Sequence, residues 1–260
     1  MVRMMDAAPP PPKFAIRNLT FSFNGKAALK GVTLDIYPNQ ITVIFGPSRA
    51  GKSVFMRTLN RLNDLIEGTA MQGQVLLDGR DIYAPGEDVV ALRRRVGMVF
   101  AVPIPLPGSV RENVTYGLKL AGVRDRRRLD EALERSLRAA ALWDEVKARL
   151  DDSAYALSGG QQQRLCLARV LALEPEVILL DNPTSGLDPI STARVEESLR
   201  LLRERYTVVM VPHSIQQAAR IADRAAFLLD GELVEVAGGG EMFVRPQDPR
   251  TEAYVTGRFG

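Results

Sequence analysis

The 260-residue chain is predicted to form an α/β fold whose main sheet is parallel. Three short apolar runs carry this prediction: Ile41–Phe45, Val177–Asp181 and Thr207–Val211. Each is followed by a helical pattern, which is typical of parallel strands that helices cover on both faces. An earlier stretch, Phe14–Tyr37, alternates or nearly alternates polar and apolar residues instead, and it predicts an antiparallel annex to the main sheet.

Short turn signals separate the remaining strands. Three pairs stand beside strand-like segments: Asn24-Gly25, Asp78-Gly79 and Asp230-Gly231. Asn-Gly and Asp-Gly favour the two-residue turns of β-hairpins, because both positions of such a turn need a positive φ. We therefore expect the chain to reverse direction at each of these pairs.

The middle of the chain, from about residue 102 to 172, has a helical pattern. Its apolar residues recur at helical spacing, as at Leu129, Leu133 and Leu137. This stretch predicts a helical subdomain inserted into the α/β fold. Three prolines within residues 103–107 break regular structure at its start and predict a rigid, exposed loop that could contact a partner. We predict one domain over residues 14–260, preceded by a disordered Pro-rich tail over residues 1–13.

The composition is that of an ordinary globular protein. The formal charge is +3, with 34 basic and 31 acidic residues, which is too balanced to indicate nucleic-acid binding by itself. The single cysteine, Cys166, excludes an internal disulfide and a metal site built from several cysteines. No apolar run approaches the roughly 20 residues that span a bilayer. If the protein works at a membrane, we expect it to be a peripheral subunit.

The segment Gly46–Ser53 fits the pattern G-x-x-x-x-G-K-[ST] of a phosphate-binding loop. Such a loop presents backbone N–H groups to phosphate oxygens, and its lysine, here Lys52, reaches the β- and γ-phosphates of a nucleotide. Its hydroxyl residue, here Ser53, binds Mg²⁺. The pattern can arise by chance in a Gly-rich turn, but a buried strand precedes it and a helix follows it. We therefore expect the whole loop to bind nucleotide: Gly46, Pro47, Ser48, Arg49, Ala50, Gly51, Lys52 and Ser53.

Further polar groups lie at predicted helix starts and at the ends of predicted strands. Ser158-Gly159-Gly160-Gln161 opens a helix and predicts a second phosphate-binding element. Asp181 ends a buried strand, where a Mg²⁺-coordinating aspartate belongs in a P-loop nucleotidase. Asp188-Pro189 is a helix start. His213, the single histidine, follows the last core strand, and Ser214-x-x-Gln217 after it has the pattern of a capping box.

These motifs, in this order, resemble those of an ATP-binding-cassette (ABC) ATPase, and the resemblance covers nearly the whole chain after the tail. The Leu157–Gln161 segment matches the family signature. Within the superfamily, the chain is most similar to the ATP-binding subunits of Pst-type bacterial phosphate importers. The closer similarity rests on Pro103-x-Pro105-x-Pro107, Ser109–Asn113, Gln161–Cys166, Asp188–Thr192, Gln216–Arg220 and Thr251–Gly260.

The resemblance implies a P-loop NTPase fold and a head-to-tail dimer that sandwiches two ATP molecules with Mg²⁺. Each ATP would be held by the Gly46–Ser53 loop of one copy and by the Ser158–Gly160 turn of the other. His213 would sense the γ-phosphate, and Ser53 and Asp181 would bind the metal. Phe23 aligns with the residue that stacks on adenine, although a buried strand phenylalanine is an equally good interpretation. Further residues implied to lie at the nucleotide are Val54, Gln161 and Asp188.

The resemblance also implies the partners and the location of the protein. The dimer, either of two identical copies or with a related subunit, would drive a pair of membrane-spanning permease subunits from the cytoplasmic side of the cell membrane. The segment from Pro103 to Asn113 would lie near their cytoplasmic loops. A phosphate-binding protein would be an indirect partner, and nucleic acid would not be one. Phosphate as the transported ion rests on the resemblance alone.

Two residues depart from the family pattern at positions that serve hydrolysis. The family has a glutamate, the presumed general base, where this chain has Asn182, and a glutamine that contacts Mg²⁺ and water where it has Ala101. Neither replacement can accept a proton. Because general-base catalysis is typically worth about 10²- to 10⁴-fold, we expect ATP binding with reduced hydrolysis. Lesser departures are Arg49, Val54 and Pro212.

Two alternative functions remain open on the sequence. A catalytically degenerate, ATP-gated regulatory subunit is favoured by Asn182 and Ala101, but it would have no reason to keep the Pro103–Asn113 segment. A cassette ATPase that acts on nucleic acid usually has long insertions or coiled coils, which this compact chain lacks.

Overall fold

The protein is described here by a computed structural model of residues 10–258. Within this range the strands are β1 (Phe14–Phe23), β2 (Lys26–Ile36), β3 (Ile41–Phe45), β4 (Thr69–Leu77), β5 (Arg80–Asp81), β6 (Val96–Val99), β7 (Val177–Asp181), β8 (Thr207–Val211), β9 (Arg224–Leu229) and β10 (Glu232–Gly238). The α-helices are α1 (Lys52–Thr58), α2 (Val89–Arg95), α3 (Val110–Leu120), α4 (Arg126–Ala139), α5 (Trp143–Val146), α6 (Gly159–Leu171), α7 (Pro189–Leu202), α8 (Ile215–Ile221), α9 (Gly239–Val244) and α10 (Pro249–Val255).

The main sheet has six strands in the order β10-β9-β3-β8-β7-β6. Strands β6, β7, β8, β3 and β9 run parallel, and β10 pairs antiparallel with β9 at one edge. Every residue of β3, β7 and β8 is buried, as their unbroken apolar runs predict. Because parallel strands end at the same edge, the loops that follow these three strands meet there. The predicted α/β class with a mainly parallel sheet is confirmed.

The second sheet is the antiparallel annex, with strand order β2-β1-β4-β5. Its turn at Asn24-Gly25 has φ values of 47° and 78°, and its turn at Asp78-Gly79 has 51° and 78°, as hairpin turns require. The sheet packs over α1, and the apolar cluster between them includes Phe21, Phe55 and Met56. The annex therefore covers one face of the main sheet next to the predicted phosphate-binding loop.

Helices α3 to α6 lie between β6 and β7 in the chain. Leu133 and Leu137 of α4 and Leu165 of α6 are buried in one apolar cluster together with residues of the main sheet. The spacing that predicts a helix around residues 129–137 therefore corresponds to the inward face of α4. None of the helices in the described range is long and apolar enough to cross a bilayer.

The helix after the phosphate-binding loop is shorter than its pattern predicts. The helical pattern predicts a helix from about Lys52 to Asn63, but α1 ends at Thr58 and a short 3-10 turn follows at Leu62–Leu65. Arg61 has a left-handed φ of 58°, and the side-chain amide of Asn63 donates to the carbonyl of Val54 at 2.9 Å. The backbone thus leaves the helical conformation shortly after Thr58, and Asn63 is held against the first turn of α1 instead of continuing the helix.

The N-terminal tail predicted over residues 1–13 falls mostly on residues 1–9, which lie outside the described range. Lys13 is described, and its backbone N–H donates to Ile36 O at 2.7 Å. Its ammonium pairs with Asp78 at 2.8 Å and with Glu176 at 2.6 Å. Arg95 pairs with the same two carboxylates at 2.6 Å each. This four-residue network joins the annex to the start of β7.

Candidate nucleotide-binding site

The Gly46–Ser53 loop joins β3 to α1 and has backbone angles that depend on its glycines. Gly46 has a φ of 145°, and a Cβ added there would lie 1.9 Å from the carbonyl oxygen of Leu228. Gly51 has a φ of 97°, and a Cβ there would lie 2.7 Å from the carbonyl oxygen of Ala28. Both positions therefore exclude side chains. The loop wraps tightly because its backbone approaches neighbouring backbone at these two points.

Lys52 lies across the loop. Its ammonium donates to the carbonyl oxygen of Gly46 at 2.8 Å and to that of Pro47 at 2.6 Å. Burial lowers the pKa of Lys52, and the negative charge of Asp181 acts in the opposite direction. The two carbonyls are weak acceptors compared with phosphate oxygens, so an entering nucleotide can take over the ammonium group.

A cavity of about 180 Å³ opens beside this loop. Its lining brings three predicted site segments together: the loop, through Gly46, Ser48 and Lys52, then Asn182, and then His213. These segments are far apart in the sequence, and they meet because each follows one of the neighbouring strands β3, β7 and β8. The carboxyl edge of a parallel sheet is the usual place for a ligand in an α/β fold.

Asn182 has features that bear directly on this cavity. Its φ is 52°, a left-handed conformation that asparagine tolerates better than most residues. Its backbone N–H donates to Val211 O at 2.9 Å, which ties it to the end of β8. Its buried amide oxygen accepts no hydrogen bond from any described residue. Asn182 thus offers an unused acceptor at the cavity.

These observations fit the phosphate groups of a nucleotide. The cavity is lined by the ammonium of Lys52 and by the Gly46 backbone, where no side chain could stand. Asp181, at the end of β7, is only 8% exposed, and Ser53 is half-buried. Their carboxylate and hydroxyl oxygens are the kind of ligand that Mg²⁺ takes together with substrate phosphates. The residues present therefore fit Mg²⁺ as well.

His213 is exposed, and its backbone is held in place by a buried side chain, Gln217. Its N–H donates to the side-chain oxygen of Gln217 at 2.9 Å. The amide nitrogen of Gln217 donates to Thr184 Oγ1 and to Glu196 Oε1, both at 3.0 Å. The predicted capping box is therefore half right: Ser214 Oγ accepts from Gln217 N at 3.2 Å, but the Gln217 side chain bonds to His213 rather than to Ser214. The histidine turn is thus joined to the loop after β7.

The second predicted phosphate element lies outside the cavity. Ser158 caps α6 in a reciprocal capping box with Gln161, whose side-chain oxygen accepts from Ser158 N at 3.0 Å. Ser158 and Gly159 are exposed, whereas Gly160 is buried, and a Cβ there would lie 2.6 Å from Ser191 Oγ. None of these residues lines the cavity beside the Gly46–Ser53 loop.

Asp188 is also outside the cavity. It is exposed and caps α7, accepting from Ile190 N and Ser191 N at 2.9 Å each. Hydrogen bonds from the hydroxyl and the backbone of Ser191 lower the pKa of Asp188. Phe23, at the end of β1, is partly buried with its ring centroid 5.3 Å from that of Phe21, and Val54 is partly buried against the same cluster. Neither Phe23 nor Val54 lines the cavity.

Comparison with known proteins identifies the family. A family model described as ABC transporter matches residues 29–185. The chain belongs to the ABC transporter ATPase family. It is 55% identical over 245 residues to the phosphate import ATP-binding protein PstB of Shewanella denitrificans, and the alignment covers 94% of this chain and 90% of that protein.

Two solved structures share the ABC ATPase fold. CbiO1 of Clostridium perfringens, part of the ABC transporter complex CbiONQ, has a TM-score of 0.80 and is 24% identical, with 95% of this chain and 97% of that chain covered. A bacterial Atm1-family ABC exporter with ATP bound has a TM-score of 0.78 and is 24% identical, with 97% of this chain and 43% of that chain covered. At this identity the likeness concerns the fold alone.

The cavity of this ABC ATPase also includes residues that its motifs do not predict. Tyr254, from α10, lines it together with Phe45 and the Pro212–Ile215 turn. The ring centroid of Tyr254 lies 5.2 Å from that of Phe227 and 6.2 Å from that of Phe45. No local pattern around Tyr254 points to a site, because only the folded chain brings α10 beside β3.

Ala101 follows β6 in this ABC ATPase and carries only a methyl group. The carbonyl of Phe100, the residue before it, accepts a hydrogen bond from the side-chain amide of Gln163 at 2.8 Å. The side-chain oxygen of Gln163 has no partner among the described residues. The segment around Ala101 is thus held by its backbone, and its side chain can neither accept nor donate a hydrogen bond.

Proposed function

We propose that the protein is the ATP-binding subunit of an ABC importer for inorganic phosphate. The observation that carries the proposal is the separation of two phosphate-binding elements: the Gly46–Ser53 loop lines a cavity, whereas Ser158 and Gly159 are exposed elsewhere. A second copy arranged head to tail can bring its signature turn to the open cavity of the first. The 55% identity to the phosphate import ATP-binding protein PstB of Shewanella denitrificans supports phosphate as the transported ion.

ATP would then join two copies of the chain. In the proposed site, Lys52 and the backbone of its loop bind the phosphates, Ser53 and Asp181 hold Mg²⁺, and His213 contacts the γ-phosphate from the cavity wall. Phe23 and Val54 lie beside the nucleotide, and the partner contributes its Ser158–Gln161 turn and its Asp188. Bound Mg²⁺ would neutralise charge on the phosphates.

Hydrolysis at this site would be weak. Asn182 stands at the cavity with an amide that cannot take a proton, and Ala101 cannot hold a water molecule through its side chain. Loss of general-base catalysis lowers the rate by about 10²- to 10⁴-fold. Positioning by Lys52, Asp181 and His213 would leave residual hydrolysis, because phosphoryl transfer depends largely on geometry and charge stabilisation.

Exposed apolar side chains of the inserted helical subdomain support docking to membrane-spanning permease subunits. Val102 and Ile104 are 70% and 63% exposed, and Leu120 of α3 is 69% exposed. The Tyr155 hydroxyl donates to Pro105 O at 3.2 Å, so the proline loop is held in place although its apolar side chains face solvent. A loop that holds exposed apolar side chains in fixed positions is suited to contact a partner.

This docking surface suggests the arrangement of the chain in a transporter. We infer one ABC ATPase domain over residues 14–260, whose inserted helical subdomain, about residues 102–172, faces two permease subunits. The protein would sit on the cytoplasmic side of the cell membrane, without entering it. A phosphate-binding protein would be an indirect partner through the permease, and nucleic acid has no role.

The test is phosphate uptake by cells that lack the chromosomal copy. The native chain should restore uptake, and Lys52→Ala should not, because the loop then loses its phosphate-binding ammonium. Lys147→Ala is the matched control, since Lys147 is exposed and, among the described residues, forms an ion pair only with Asp144 of the adjoining helix α5. Uptake that is unchanged by deletion, or restored equally by Lys52→Ala, would contradict the proposal.

A second candidate function is an ATP-gated regulatory subunit, which Asn182 and Ala101 favour. Such a subunit would bind ATP and dimerise without driving transport. The same cells distinguish the two functions. A regulator would change the expression of phosphate-responsive genes while leaving the initial rate of phosphate uptake unchanged at matched permease levels.

A further inference from the structure

The carboxylate of Glu145, on the short helix α5, is the meeting point of three side chains from two other helices. Arg164 donates to its two oxygens at 2.7 and 3.1 Å, and Gln161 Nε2 donates to Oε2 at 2.9 Å. Arg194 Nη1 donates to Oε1. Both Gln161 and Arg164 belong to α6, and Arg194 belongs to α7. One carboxylate therefore fixes two helices at once.

The bond to Gln161 reaches the signature turn directly. The side-chain nitrogen of Gln161 donates to Glu145, and its side-chain oxygen accepts from the backbone N–H of Ser158 at 3.0 Å. Since an amide side chain cannot rotate without losing both bonds, Glu145 determines which end of Gln161 caps the helix. The exposed Ser158-Gly159 turn is thereby held in one orientation through the side chains of Gln161 and Glu145.

Arg164 makes the contact between Glu145 and α6 rigid. Its side chain is only 2% exposed, and its charge is matched by Glu145, which is 26% exposed. A paired, two-pronged arginine–carboxylate contact is directional as well as strong. Burial alone would raise the pKa of Glu145, but hydrogen bonds from Arg164 and Gln161 bring the pKa below its usual range. The carboxylate therefore stays charged at neutral pH.

Arg194 extends the attachment to the helix that Asp188 caps. The first turns of α6 and α7 touch, because a Cβ on Gly160 would lie 2.6 Å from Ser191 Oγ. Ser191 Oγ in turn donates to Asp188 Oδ2 at 2.5 Å. Glu145 and the Gly160–Ser191 contact thus hold α6 and α7 together at two points. The signature turn and Asp188 keep a fixed spacing on one surface of the chain.

We propose that Glu145 is a positioning residue that sets the signature turn and the Asp188 helix end for an ATP molecule held by another copy. This inference rests on the proposed head-to-tail dimer. Its consequence is an effect in trans: loss of Glu145 weakens the site formed by the partner's phosphate-binding loop and leaves the loop of its own chain unaffected.

The test uses mixed dimers and reads the ATP concentration that gives half-maximal association. A trace amount of fluorescently labelled full-length chain is mixed with an excess of chain carrying Lys52→Ala, so the labelled copy supplies the single working loop. In the trans arrangement, Glu145→Gln is placed in the excess copy. In the cis arrangement, Glu145→Gln is placed in the labelled copy.

We expect the trans arrangement to raise the half-maximal ATP concentration by roughly ten- to a hundredfold, since losing hydrogen bonds to a charged group changes an equilibrium by about this factor. The cis arrangement should leave it unchanged, which also shows that the variant folds. An equal effect in both arrangements, or no effect in trans, would overturn the proposal. If Glu145→Gln fails to fold, Arg194→Ala replaces it, because Arg194 is 46% exposed and its removal buries no unpaired charge; the same trans-only increase is then required.

Two controls separate failure of this inference from failure of the dimer. Gly159→Asp puts a negative charge on the exposed signature turn, where a Cβ would meet no atom within 4 Å. If it raises the half-maximal ATP concentration in trans while Glu145→Gln does not, the dimer stands and the role of Glu145 is wrong. If neither has an effect in trans, or no association occurs at all, the head-to-tail dimer itself is wrong. Arg127→Ala, which removes an 87% exposed arginine that pairs with Glu131 one turn along α4, should change nothing.

Discussion

Gly46 illustrates how a single residue sets the shape of the phosphate-binding loop. Its φ of 145° and the 1.9 Å approach of a Cβ to Leu228 O leave no room for any other residue. The contact joins the loop to β9, the strand beside β3 in the main sheet. A side chain at residue 46 must therefore move either the loop or β9.

We predict that Gly46→Ala lowers the free energy of unfolding by about 3 kcal/mol, from backbone strain and a clash with unyielding backbone. It should also abolish ATP binding measured with a fluorescent nucleotide. Gly240→Ala is the matched control, because a Cβ there meets no atom within 4 Å and φ is not positive. Native-like stability and binding in Gly46→Ala would show that the loop is more adaptable than described.

At the same scale, Asn182 explains why binding and hydrolysis are expected to separate. The residue keeps the backbone arrangement of the site through its bond to Val211 O and a tolerated left-handed φ of 52°. Its side chain differs from the glutamate of the family in one respect: an amide cannot accept a proton. A glutamate at residue 182 could accept a proton, but it would meet a less favourable backbone conformation, at a cost of about 1 to 2 kcal/mol.

At the scale of elements, Gln217 joins the turn after β8 to the loop after β7 and to α7. We predict that Gln217→Met, which keeps the shape but makes no hydrogen bonds, leaves His213 N, Thr184 and Glu196 short of a partner. The unfolding free energy should fall by about 2 kcal/mol, and ATP should bind more weakly, because the His213 backbone is released. Chemical denaturation and nucleotide titration measure the two effects.

Gln216→Met provides the comparison for that substitution. Gln216 is the preceding residue on α8 and is exposed, so its replacement should leave both stability and ATP affinity within error. If the two variants have the same stability and ATP affinity, the buried hydrogen bonds of Gln217 contribute to neither.

A second prediction at the scale of elements concerns the network of Lys13, Asp78, Arg95 and Glu176, which joins the annex to the main sheet. Hydrogen bonds from Arg95, opposed by burial and aided by Lys13, lower the pKa of Glu176 from 4.5 to about 2. The pKa of this carboxylate is lower in the folded chain than in the unfolded chain. Its contribution to the free energy of unfolding is therefore complete above about pH 5 and is lost as the pH falls toward 2. Glu176 is 40% exposed, so the contribution is held to about 1 kcal/mol.

We therefore expect Glu176→Gln to be less stable than the native chain at pH 7, with a difference that shrinks between pH 5 and pH 2. Urea denaturation across that range measures it. A stability difference that stays constant with pH would show that Glu176 acts through packing rather than charge.

Prediction from sequence succeeds for elements whose signal is contiguous. The unbroken apolar runs of β3, β7 and β8 predict buried parallel strands, and the Asn-Gly and Asp-Gly pairs predict hairpin turns with positive φ. The loop at Gly46–Ser53 is predictable for the same reason, since all its residues adjoin. Local boundaries fail where the backbone leaves the helical conformation without a Gly or Pro signal, as at Arg61, whose φ of 58° is left-handed.

The parts that sequence cannot supply depend on contacts between distant residues. Glu145 lies in a short helix without a motif, yet it contacts α6 and α7 through three partners. Tyr254 reaches the cavity only because α10 folds back beside β3. Gln217 has the pattern of a capping residue, and its bond to His213 follows from the chain geometry after β8.

At the scale of the whole molecule, the proposed dimer would divide the binding of one nucleotide between two copies of the chain. The cavity side would contribute Lys52, Asp181, Asn182 and His213, and the signature side would contribute Ser158 and Asp188. In this proposal the nucleotide is enclosed only when both sides meet. Because both sides keep their backbone geometry, ATP-driven association should persist in a chain whose hydrolytic groups are altered.

The most direct test of this claim is steady-state ATP hydrolysis with Mg²⁺, measured beside ATP-driven association for the same samples. The native chain is compared with Asn182→Glu, Ala101→Gln and the double variant, and Lys52→Ala sets the background. We predict association with slow turnover in the native chain, and a gain of about 10²- to 10⁴-fold in the double variant. Rapid turnover by the native chain, or a double variant no faster than it, would contradict the claim that Asn182 and Ala101 limit hydrolysis.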